Sequence, residues 1–259
     1  MKFSKKSLGQ NFLIDKNIIK KIVNLVNIEN KNIIEIGPGY GALTEEIVKK
    51  KPKSFSIIEK DFYLSEGLKS KYSKNKNIII HNDDILKIDI ESMIKKDSII
   101  LGNLPYNIAS QILIKILKLK KWPPKFNDLV FMFQKEVGDK IVGRFSSSDY
   151  GRLSIISNYR LNILNKFLIS PNCFRPKPKI TSMVIHFKPK KNIYSIREID
   201  NLEKITNVFF SNKRKMINKS VKKLFNKDNV EKILDIKLNL RPSDIKPEIY
   251  YKITQLYEK

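Results

Sequence analysis

Apolar residues along this chain recur in short runs that alternate with segments of helical spacing. Runs at 32–36, 54–59, 77–81 and 98–101 are short and centred on consecutive large apolar residues, mostly isoleucine, which is typical of buried parallel strands. A fifth run follows at 129–133, and the segments between the runs repeat their apolar residues every three to four positions. Strands that alternate with helices predict an α/β domain built on a mostly parallel, Rossmann-like sheet.

The first run leads into a glycine-rich turn, Gly-Pro-Gly-Tyr-Gly-Ala at 37–42, before a predicted helix. Glycines at such a junction let the backbone approach a bound nucleotide closely. The spacing fits Gly-x-Gly-x-Gly of adenosylmethionine enzymes and also Gly-x-Gly-x-x-Ala of dinucleotide enzymes. Glu59 ends the second run, where a carboxylate can accept hydrogen bonds from both ribose hydroxyls of either cofactor. The alternative for Glu59 is a strand-end acid that faces solvent.

Polar residues also follow the third run. A carboxylate just after a third parallel strand can accept a hydrogen bond from the amino group of an adenine. Asp83 is the better placed candidate, and Asp84 is the alternative.

The fourth run leads into Gly-Asn-Leu-Pro-Tyr-Asn at 102–107, at a strand end where open α/β sheets bind ligands. The amide oxygen of Asn103 and the carbonyl of Leu104 would accept both hydrogens of an exocyclic base amine, which favours a pyramidal, nucleophilic nitrogen. Tyr106 would offer a face on which the base stacks. The alternative is a Pro-Tyr turn with an Asn cap on the next helix. Nothing near Asn103 resembles a hydride-transfer site, which disfavours the dinucleotide interpretation.

Two alternating runs at 160–169 and 180–188 predict antiparallel strands that close one edge of the sheet. Between them, Pro171 and Pro176 flank Phe174 and would hold its ring rigidly in the connecting loop. Phe174 is equally consistent with a core position, because phenylalanine is commonly buried.

A polar stretch at 189–194 marks the predicted domain boundary. It divides the chain into residues 1–190, with an N-terminal arm at 1–16, and a helical domain at 191–259. Segment 204–227 carries eight basic residues and no acid, interleaved with apolar ones, which predicts a helix with a basic, phosphate-binding face. The eight are Lys204, Lys213, Arg214, Lys215, Lys219, Lys222, Lys223 and Lys227.

Composition bears on the protein's location, on metal binding and on its partner. The chain has 259 residues with 41% hydrophobic content, no run of eighteen apolar residues and no apolar signal core at its N-terminus, which favours a cytoplasmic protein without membrane contact. A single Cys173 and two histidines disfavour a zinc site. The net charge of +25 indicates a polyanionic partner such as nucleic acid. Only seven of the 51 basic residues are arginine, a bias typical of AT-rich genomes, so the clustering of charge is more informative than its sum.

Several segments occur in the same order in the ribosomal RNA adenine dimethyltransferases, which the chain resembles over essentially its whole length. Segment 209–217, Phe-Phe-Ser-Asn-Lys-Arg-Lys-Met-Ile, resembles the bacterial small-subunit (16S) branch more than the large-subunit resistance methylases. The shared segments are 7–13, 35–39, Glu59, Asp83, 102–107, 134–137, 150–154 and 174–179.

The resemblance implies a class I methyltransferase sheet, mostly parallel with one antiparallel edge strand, and a small C-terminal helical domain. It implies S-adenosylmethionine as methyl donor, no metal, and dimethylation at N6 of two adjacent adenosines near the 3′ end of small-subunit ribosomal RNA. The substrate would be a partly assembled small subunit, and the enzyme a cytoplasmic monomer.

The resemblance also implies two sets of site residues. Asn103, Leu104 and Tyr106 would position the target adenine, with Phe174 on its other face. The N-terminal arm, which its pattern alone suggests is a docked tail, becomes a lid over the cofactor. The cofactor-binding set is Asn11, Leu13, Gly37, Glu59, Asp83 and Asn103.

Two rival functions differ from this one. A DNA or protein amide methyltransferase would favour Asn-Pro-Pro-Tyr, and Leu104 is inconsistent with that motif. A non-catalytic RNA-binding assembly factor would keep the fold without the chemistry, and the intact Asn103, Glu59 and Asp83 disfavour it.

Overall fold

The computed structural model describes residues 11–191, 194–225 and 236–259, which form two compact units. Unit 1 comprises Met1–Gly138 and Asn162–Pro189, and unit 2 comprises Asp139–Leu161 and Lys190–Lys259. The division based on sequence placed 139–161 with the first domain. This segment packs within unit 2 because it forms hydrogen bonds with the C-terminal part of that unit. For example, Tyr150 Oη donates to the backbone carbonyl of Ile245 at 2.7 Å.

Unit 1 contains a seven-stranded sheet of order β4-β3-β2-β5-β6-β9-β7 and a two-stranded sheet of β1 and β8. The strands are β1 (Phe12–Leu13), β2 (Asn32–Ile36), β3 (Ser54–Glu59), β4 (Ile78–Asn82), β5 (Ser98–Asn103), β6 (Phe126–Gln134), β7 (Leu161–Ile169), β8 (Phe174–Arg175) and β9 (Ser182–Pro189). The helices are α1 (Lys16–Val23), α2 (Ala42–Lys49), α3 (Phe62–Lys71), α4 (Ile90–Met93), α5 (Ala109–Leu117), α6 (Lys135–Val142), α7 (Arg152–Arg160), α8 (Ile199–Phe210), α9 (Asn218–Leu224) and α10 (Pro247–Tyr257).

The five strands from β4 to β6 are parallel, as their apolar runs predicted, and β9 pairs antiparallel with β6. The α/β fold class is therefore confirmed. The antiparallel strand lies one place in from the edge, and β7 occupies the edge itself. Burial explains this order: the first six residues of β9 are all buried, whereas β7 exposes most of its residues and tolerates an edge.

The strand order reverses between β2 and β5: from β2 the chain proceeds through β3 to β4 in one direction along the sheet, and from β5 it proceeds to β6 in the other. Open α/β sheets bind ligands in the crevice outside the carboxyl ends of such strands. Gly102 allows the two strands to approach closely, since a Cβ there would lie 2.8 Å from the carbonyl oxygen of Ile36. The centre of the sheet therefore fixes the ends of β2 and β5 relative to each other.

Aspartate side chains cap the N-termini of two helices, α1 and α3, and fix where each helix begins. Asp15 accepts hydrogen bonds from the backbone nitrogens of Asn17 and Ile18, at 2.9 and 3.0 Å, and so caps α1. Asp61 caps α3 in the same way, through the nitrogens of Tyr63 and Leu64.

Unit 2 is helical and has an aromatic core in which Tyr250 contacts Phe209 and Phe210. The basic segment predicted as one helix consists of α8 and α9 with a break at 211–217, and Lys227 lies outside the described residues. Among the residues that the structure describes, no helix is long and apolar enough to cross a membrane.

Candidate active site

A cavity of about 720 Å³ opens at the carboxyl ends of the central strands. Its lining comes from the N-terminal arm, the glycine loop and the residues after β3, β4 and β5. Eight of the nine predicted site residues line it, and Phe174 does not. The eight are Asn11, Leu13, Gly37, Glu59, Asp83, Asn103, Leu104 and Tyr106.

The glycine loop has a backbone shape that other residues would strain. Gly37 and Gly39 have φ of +67° and +59°, in the left-handed region. A Cβ on Gly39 would lie 2.7 Å from the ring of Phe12. The Gly37 nitrogen donates to the carbonyl of Ile58 at 3.0 Å, which ties the loop to β3. The loop therefore presents bare backbone to the cavity.

Glu59 is 6% exposed, so the solvent-facing alternative is wrong. Its Oε2 accepts from the Gly39 nitrogen at 3.2 Å and its Oε1 from the Asp61 nitrogen at 2.8 Å. Burial raises the pKa of this carboxyl group, while the backbone hydrogen bonds from Asp61 and Gly39 partly oppose the shift. Glu59 thus fixes the glycine loop relative to the start of α3.

The two acids after β4 differ in what holds them. Asp84 forms an ion pair with Lys60 at 2.9 Å and accepts from the Leu86 nitrogen at 2.9 Å, and these contacts lower its pKa. Asp83 is exposed, and its Oδ1 accepts from the Asp84 nitrogen at 2.7 Å. Its Oδ2 has no partner within the described residues. Asp83 is therefore the acid available to a ligand, and Asp84 shapes the loop.

Asn103 is oriented by the arm. Its Nδ2 donates to the carbonyl of Asn11 at 3.0 Å. Because a carbonyl only accepts, this bond fixes which end of the amide is nitrogen. Within the described residues its Oδ1 has no hydrogen-bond partner. The side chain therefore offers one oriented acceptor at the end of β5.

The next residues of the motif are held by packing. The Leu104 side chain is 1% exposed and fills the space above Gly102. The Tyr106 hydroxyl forms a short hydrogen bond with the hydroxyl of Ser182, which is fully buried on β9. Burial raises the pKa of Tyr106, so the phenol stays neutral. The ring is thus anchored at its far end while the residue lines the cavity.

The described part of the arm begins at Asn11 and docks on unit 1. Phe12 and Leu13 form β1, which pairs antiparallel with β8. The ring of Phe12 lies over the glycine loop, 4.5 Å from the ring centre of Tyr40. The arm therefore covers one side of the cavity, while residues 1–10 lie outside the described part.

Phe174 pairs with Leu13 across the two-stranded sheet and is 2% exposed. It belongs to the core cluster that includes Leu13, Val23 and Ile169. The next two residues, Arg175 and Pro176, line the cavity instead. This placement favours the core alternative, and its stacking role stays a prediction without geometric support.

Sequence reasoning assigned no role to Glu35, which also lines the cavity. It is 1% exposed, and its Oε2 accepts from the Thr44 hydroxyl at 2.7 Å. Its Oε1 is buried and has no hydrogen-bond partner in the part of the chain that the structure describes. Burial, reinforced by the charge of Glu59, raises the pKa of Glu35 to about 8. The signal was present as a single acid within the apolar run 32–36.

Three other cavity residues were also missed. Phe12 and Tyr40 form the aromatic pair at the arm, and Ile85 is buried directly after the two acids. The glycine at position 39 was the only sign in the sequence that another group comes close to the backbone there, and in the structure that group is the ring of Phe12.

Comparison with known proteins agrees with this geometry. A model of the family described as ribosomal RNA adenine dimethylase matches residues 1–259. The chain is 46% identical over 259 residues to the ribosomal RNA small subunit methyltransferase A of Pelagibacter ubique (strain HTCC1062), covering 98% of this chain and 97% of that protein. It is 40% identical over 250 residues to the protein of the same name from Mycoplasma mobile, covering 95% of each.

Solved structures show the same fold. A dimethyladenosine transferase from Plasmodium falciparum superposes with a TM-score of 0.79 at 22% identity, covering 95% of this chain and 97% of that one. The 23S rRNA methyltransferase ErmE gives 0.68 at 22% identity, covering 96% and 100%. These likenesses confirm the Rossmann-like methyltransferase fold. With a family model matched along its whole length and relatives at 46% and 40% identity, the chain belongs to the ribosomal RNA adenine dimethylase family.

Proposed function

We propose that this protein transfers methyl groups from S-adenosylmethionine to N6 of two adjacent adenosines near the 3′ end of small-subunit ribosomal RNA. The observation that carries the proposal is the oriented Oδ1 of Asn103, in the same cavity as Glu59 and Asp83. The names of the two similar curated proteins support the choice of substrate.

The cavity fits the proposed cofactor. Its volume of about 720 Å³ lies within the usual range for small-molecule sites. Glu59 and Asp83 give it an acidic lining, which suits a cationic ligand. The carboxyl group of Glu35 is neutral at pH 7, and its Oε1 is buried without a hydrogen-bond partner among the described residues. When bound, S-adenosylmethionine would supply an electrophilic methyl group. Glu59 and Asp83 would hold its ribose and adenine, beside the bare backbone of Gly37.

The chain's own contribution to the transfer is to position an amine. Asn103 Oδ1 and the Leu104 carbonyl would accept the two N6 hydrogens, which draws the nitrogen towards a pyramidal, nucleophilic form. The ring of Tyr106 would stack on the base, which must leave any helical stack to reach it. An in-line displacement of this kind depends on alignment and exclusion of water, and we include no metal in the proposal.

RNA would be bound in part by the basic residues of α9 and the turn before it. Two of the predicted basic residues have other roles: Lys213 Nζ donates to the carbonyls of Ser148 and Tyr150, and Lys204 contacts Tyr257. The remaining described ones are exposed, and with Lys213 they belong to unit 2. They are Arg214, Lys215, Lys219, Lys222 and Lys223.

Three further features complete the proposal. Two adjacent targets and two transfers each require exchange of spent cofactor between steps. The substrate is proposed to be a partly assembled small subunit in the cytoplasm. The enzyme is proposed to act as a monomer, because every described residue that lines the cavity belongs to unit 1 of one chain.

Mass spectrometry of small-subunit ribosomal RNA, incubated with the protein and labelled cofactor, tests this function. The expected product is dimethyladenosine at two adjacent positions. Tight RNA binding without methylation would favour an assembly factor, and methylation of large-subunit RNA alone would contradict the substrate.

A further inference from the structure

A second concave site lies in unit 1 at the amino-terminal ends of β2, β3 and β5, whereas the cavity lies at the carboxyl ends of the central strands. It is a pocket of about 470 Å³ lined by residues from three loops. We call it the lysine pocket, and its lining is Asn30, Lys31, Asn32, Lys53, Ser54, Lys95, Lys96 and Asp97. Because β2 has five residues, the pocket lies about 17 Å along the strand from the glycine loop.

Hydrogen bonds tie the three loops into one shape. The Asn32 amide donates to the carbonyl of Lys96 at 3.0 Å and accepts from the Ser54 hydroxyl at 2.7 Å. The backbone nitrogen of Lys53 donates to the backbone carbonyl of Lys31 at 2.9 Å. These bonds set the spacing of the lysines along the backbone before any ligand binds.

The turn that carries the other two lysines is also fixed. The hydroxyl of Ser98, which is fully buried, donates to the carbonyl of Lys95 at 2.8 Å. Asp97 has φ of +59°, and its carboxylate accepts from Asn127 Nδ2 at 2.9 Å. The only acid in the lining is thus already engaged.

The lysines of the pocket lack acidic partners. Within the described part of the chain, no ion pair involves Lys31, Lys53, Lys95 or Lys96. Lysines elsewhere in unit 1 do find acids: Lys49 pairs with Glu46 at 2.9 Å. Another example is Lys69, which pairs with Glu66 at 2.8 Å. Four lysine charges against the single carboxylate of Asp97 leave the lining with a net positive charge, which makes it a site for an anion.

The chemistry of the site favours a polyanion over a small ligand. The Asn32 amide and the Ser54 hydroxyl, which would give directional recognition, are engaged within the chain. The groups that remain for a ligand are the ammonium groups of the four flexible lysine side chains, of which Lys53, Lys95 and Lys96 are exposed. Lysine ammonium groups recognise phosphate as point charges, without the fixed geometry of a specific pocket.

We propose that the lysine pocket binds the phosphate backbone of the RNA substrate, as a second docking point on the methyltransferase unit remote from the target base. This inference rests on the proposed function. An RNA that reaches both edges of the sheet must be larger than the two target adenosines, so this contact favours a folded ribosomal RNA over a short oligonucleotide.

The test replaces Lys53, Lys95 and Lys96 with glutamine together. A matched variant replaces Lys16, Lys20 and Lys166, which are exposed on α1 and β7 of unit 1 and lie outside the pocket. Binding of small-subunit RNA is titrated at several salt concentrations, and S-adenosylmethionine affinity is measured in parallel as a check on folding. Inorganic phosphate is titrated against the parent protein, with the amides of the pocket observed by NMR.

The pocket variant should bind RNA at least about fivefold more weakly, with a salt slope lower by about 0.7 to 0.9 for each lost contact, while cofactor affinity is unchanged. A slope equal to that of the matched variant overturns the inference, and phosphate binding with an unchanged RNA slope assigns the pocket to a small anion instead. If the parent itself neither binds nor methylates small-subunit RNA, the proposed function fails as well. Methylation by the parent with no effect of the pocket variant rejects the pocket alone.

Discussion

The cavity of unit 1 and the basic surface of unit 2 hold their polar side chains in opposite ways. In the cavity, the polar groups of Glu59 and Asn103 are fixed by the backbone of Gly39, Asp61 and Asn11. On the surface of unit 2, the basic residues of α9 are exposed, and among the described residues their ammonium groups have no such fixed acceptors.

The difference teaches how each region should respond to mutation. A side chain fixed at one position contributes through geometry, so one substitution should remove a large part of the effect. Exposed charges act together through a screened potential, so each one contributes little and salt alters the sum. The following experiments test that contrast, from the largest expected effect to the smallest.

Replacing Asn103 with alanine should have the largest effect. The substitution removes the oriented acceptor for the reacting amine, so turnover should fall by about 3 to 4 kcal/mol of barrier, or roughly 100- to 1000-fold. RNA affinity should change far less. Single-turnover methylation and RNA binding are measured on the same samples, with Asn172→Ala in an exposed loop as the control. Equal losses of binding and methylation would show that Asn103 has no special role in the chemistry.

Replacing Glu59 tests the cofactor half of the cavity. Losing two charge-assisted hydrogen bonds to a ribose should weaken S-adenosylmethionine binding by about 2 to 4 kcal/mol. Glu59 also holds the nitrogens of Gly39 and Asp61, so Glu59→Ala disturbs the loop, whereas Glu59→Gln keeps the side-chain volume. Calorimetry on both variants separates ribose binding from loop support. Unchanged S-adenosylmethionine affinity in both variants would contradict the assignment of Glu59 as the ribose-binding residue.

Glu35 offers a test by pH. Its pKa is about 8 in the folded protein against an ordinary 4.5, so the unfolded chain loses this proton first. Stability should therefore be greatest below about pH 4.5 as far as Glu35 is concerned, and should decline as pH rises to about 8. Glu35→Gln stays neutral and can still accept from Thr44, so it should be more stable than the parent at pH 8, by on the order of 2 kcal/mol after relaxation around the buried charge.

Denaturation followed by fluorescence of Trp122, the single tryptophan and a residue of unit 1, measures this stability. The Glu59 carboxyl, whose pKa is also raised, adds a decline of its own in both proteins, and because its charge acts on Glu35, part of the difference between variant and parent is the loss of that coupling. A stability difference between variant and parent that is the same at pH 5 and pH 8 would contradict a protonated Glu35.

The cavity could be predicted well because its signals are local. Each of Glu59, Asp83 and Asn103 directly follows or ends an apolar run, and the carboxyl ends of parallel strands meet at one edge of a sheet. The glycine loop likewise carries its shape in its own sequence, since φ of +67° at Gly37 favours glycine whatever surrounds it.

The rest depended on contacts between distant segments. The pairing of β1 with β8 involves two residues from each, too few for any periodicity, so the burial of Phe174 could not be read from its neighbours. The raised pKa of Glu35 arises from burial by the folded unit. Lys213 looked like any other basic residue, because its carbonyl acceptor at Ser148 lies 65 positions away.

The smallest effect is expected on the basic surface of unit 2, where Lys215, Lys219 and Lys222 are replaced with glutamine together. If these residues contact phosphates, RNA binding should weaken and the slope of its salt dependence should fall by about 0.7 to 0.9 per lost contact. Cofactor affinity should not change, because the cavity lies in unit 1. The matched control replaces Lys237, Lys246 and Lys252, which are equally exposed in unit 2. Titrations across several salt concentrations decide the matter: equal slopes in the two variants would mean that the charge on α9 reflects composition, whereas a lower slope in the α9 variant alone makes that helix an RNA contact.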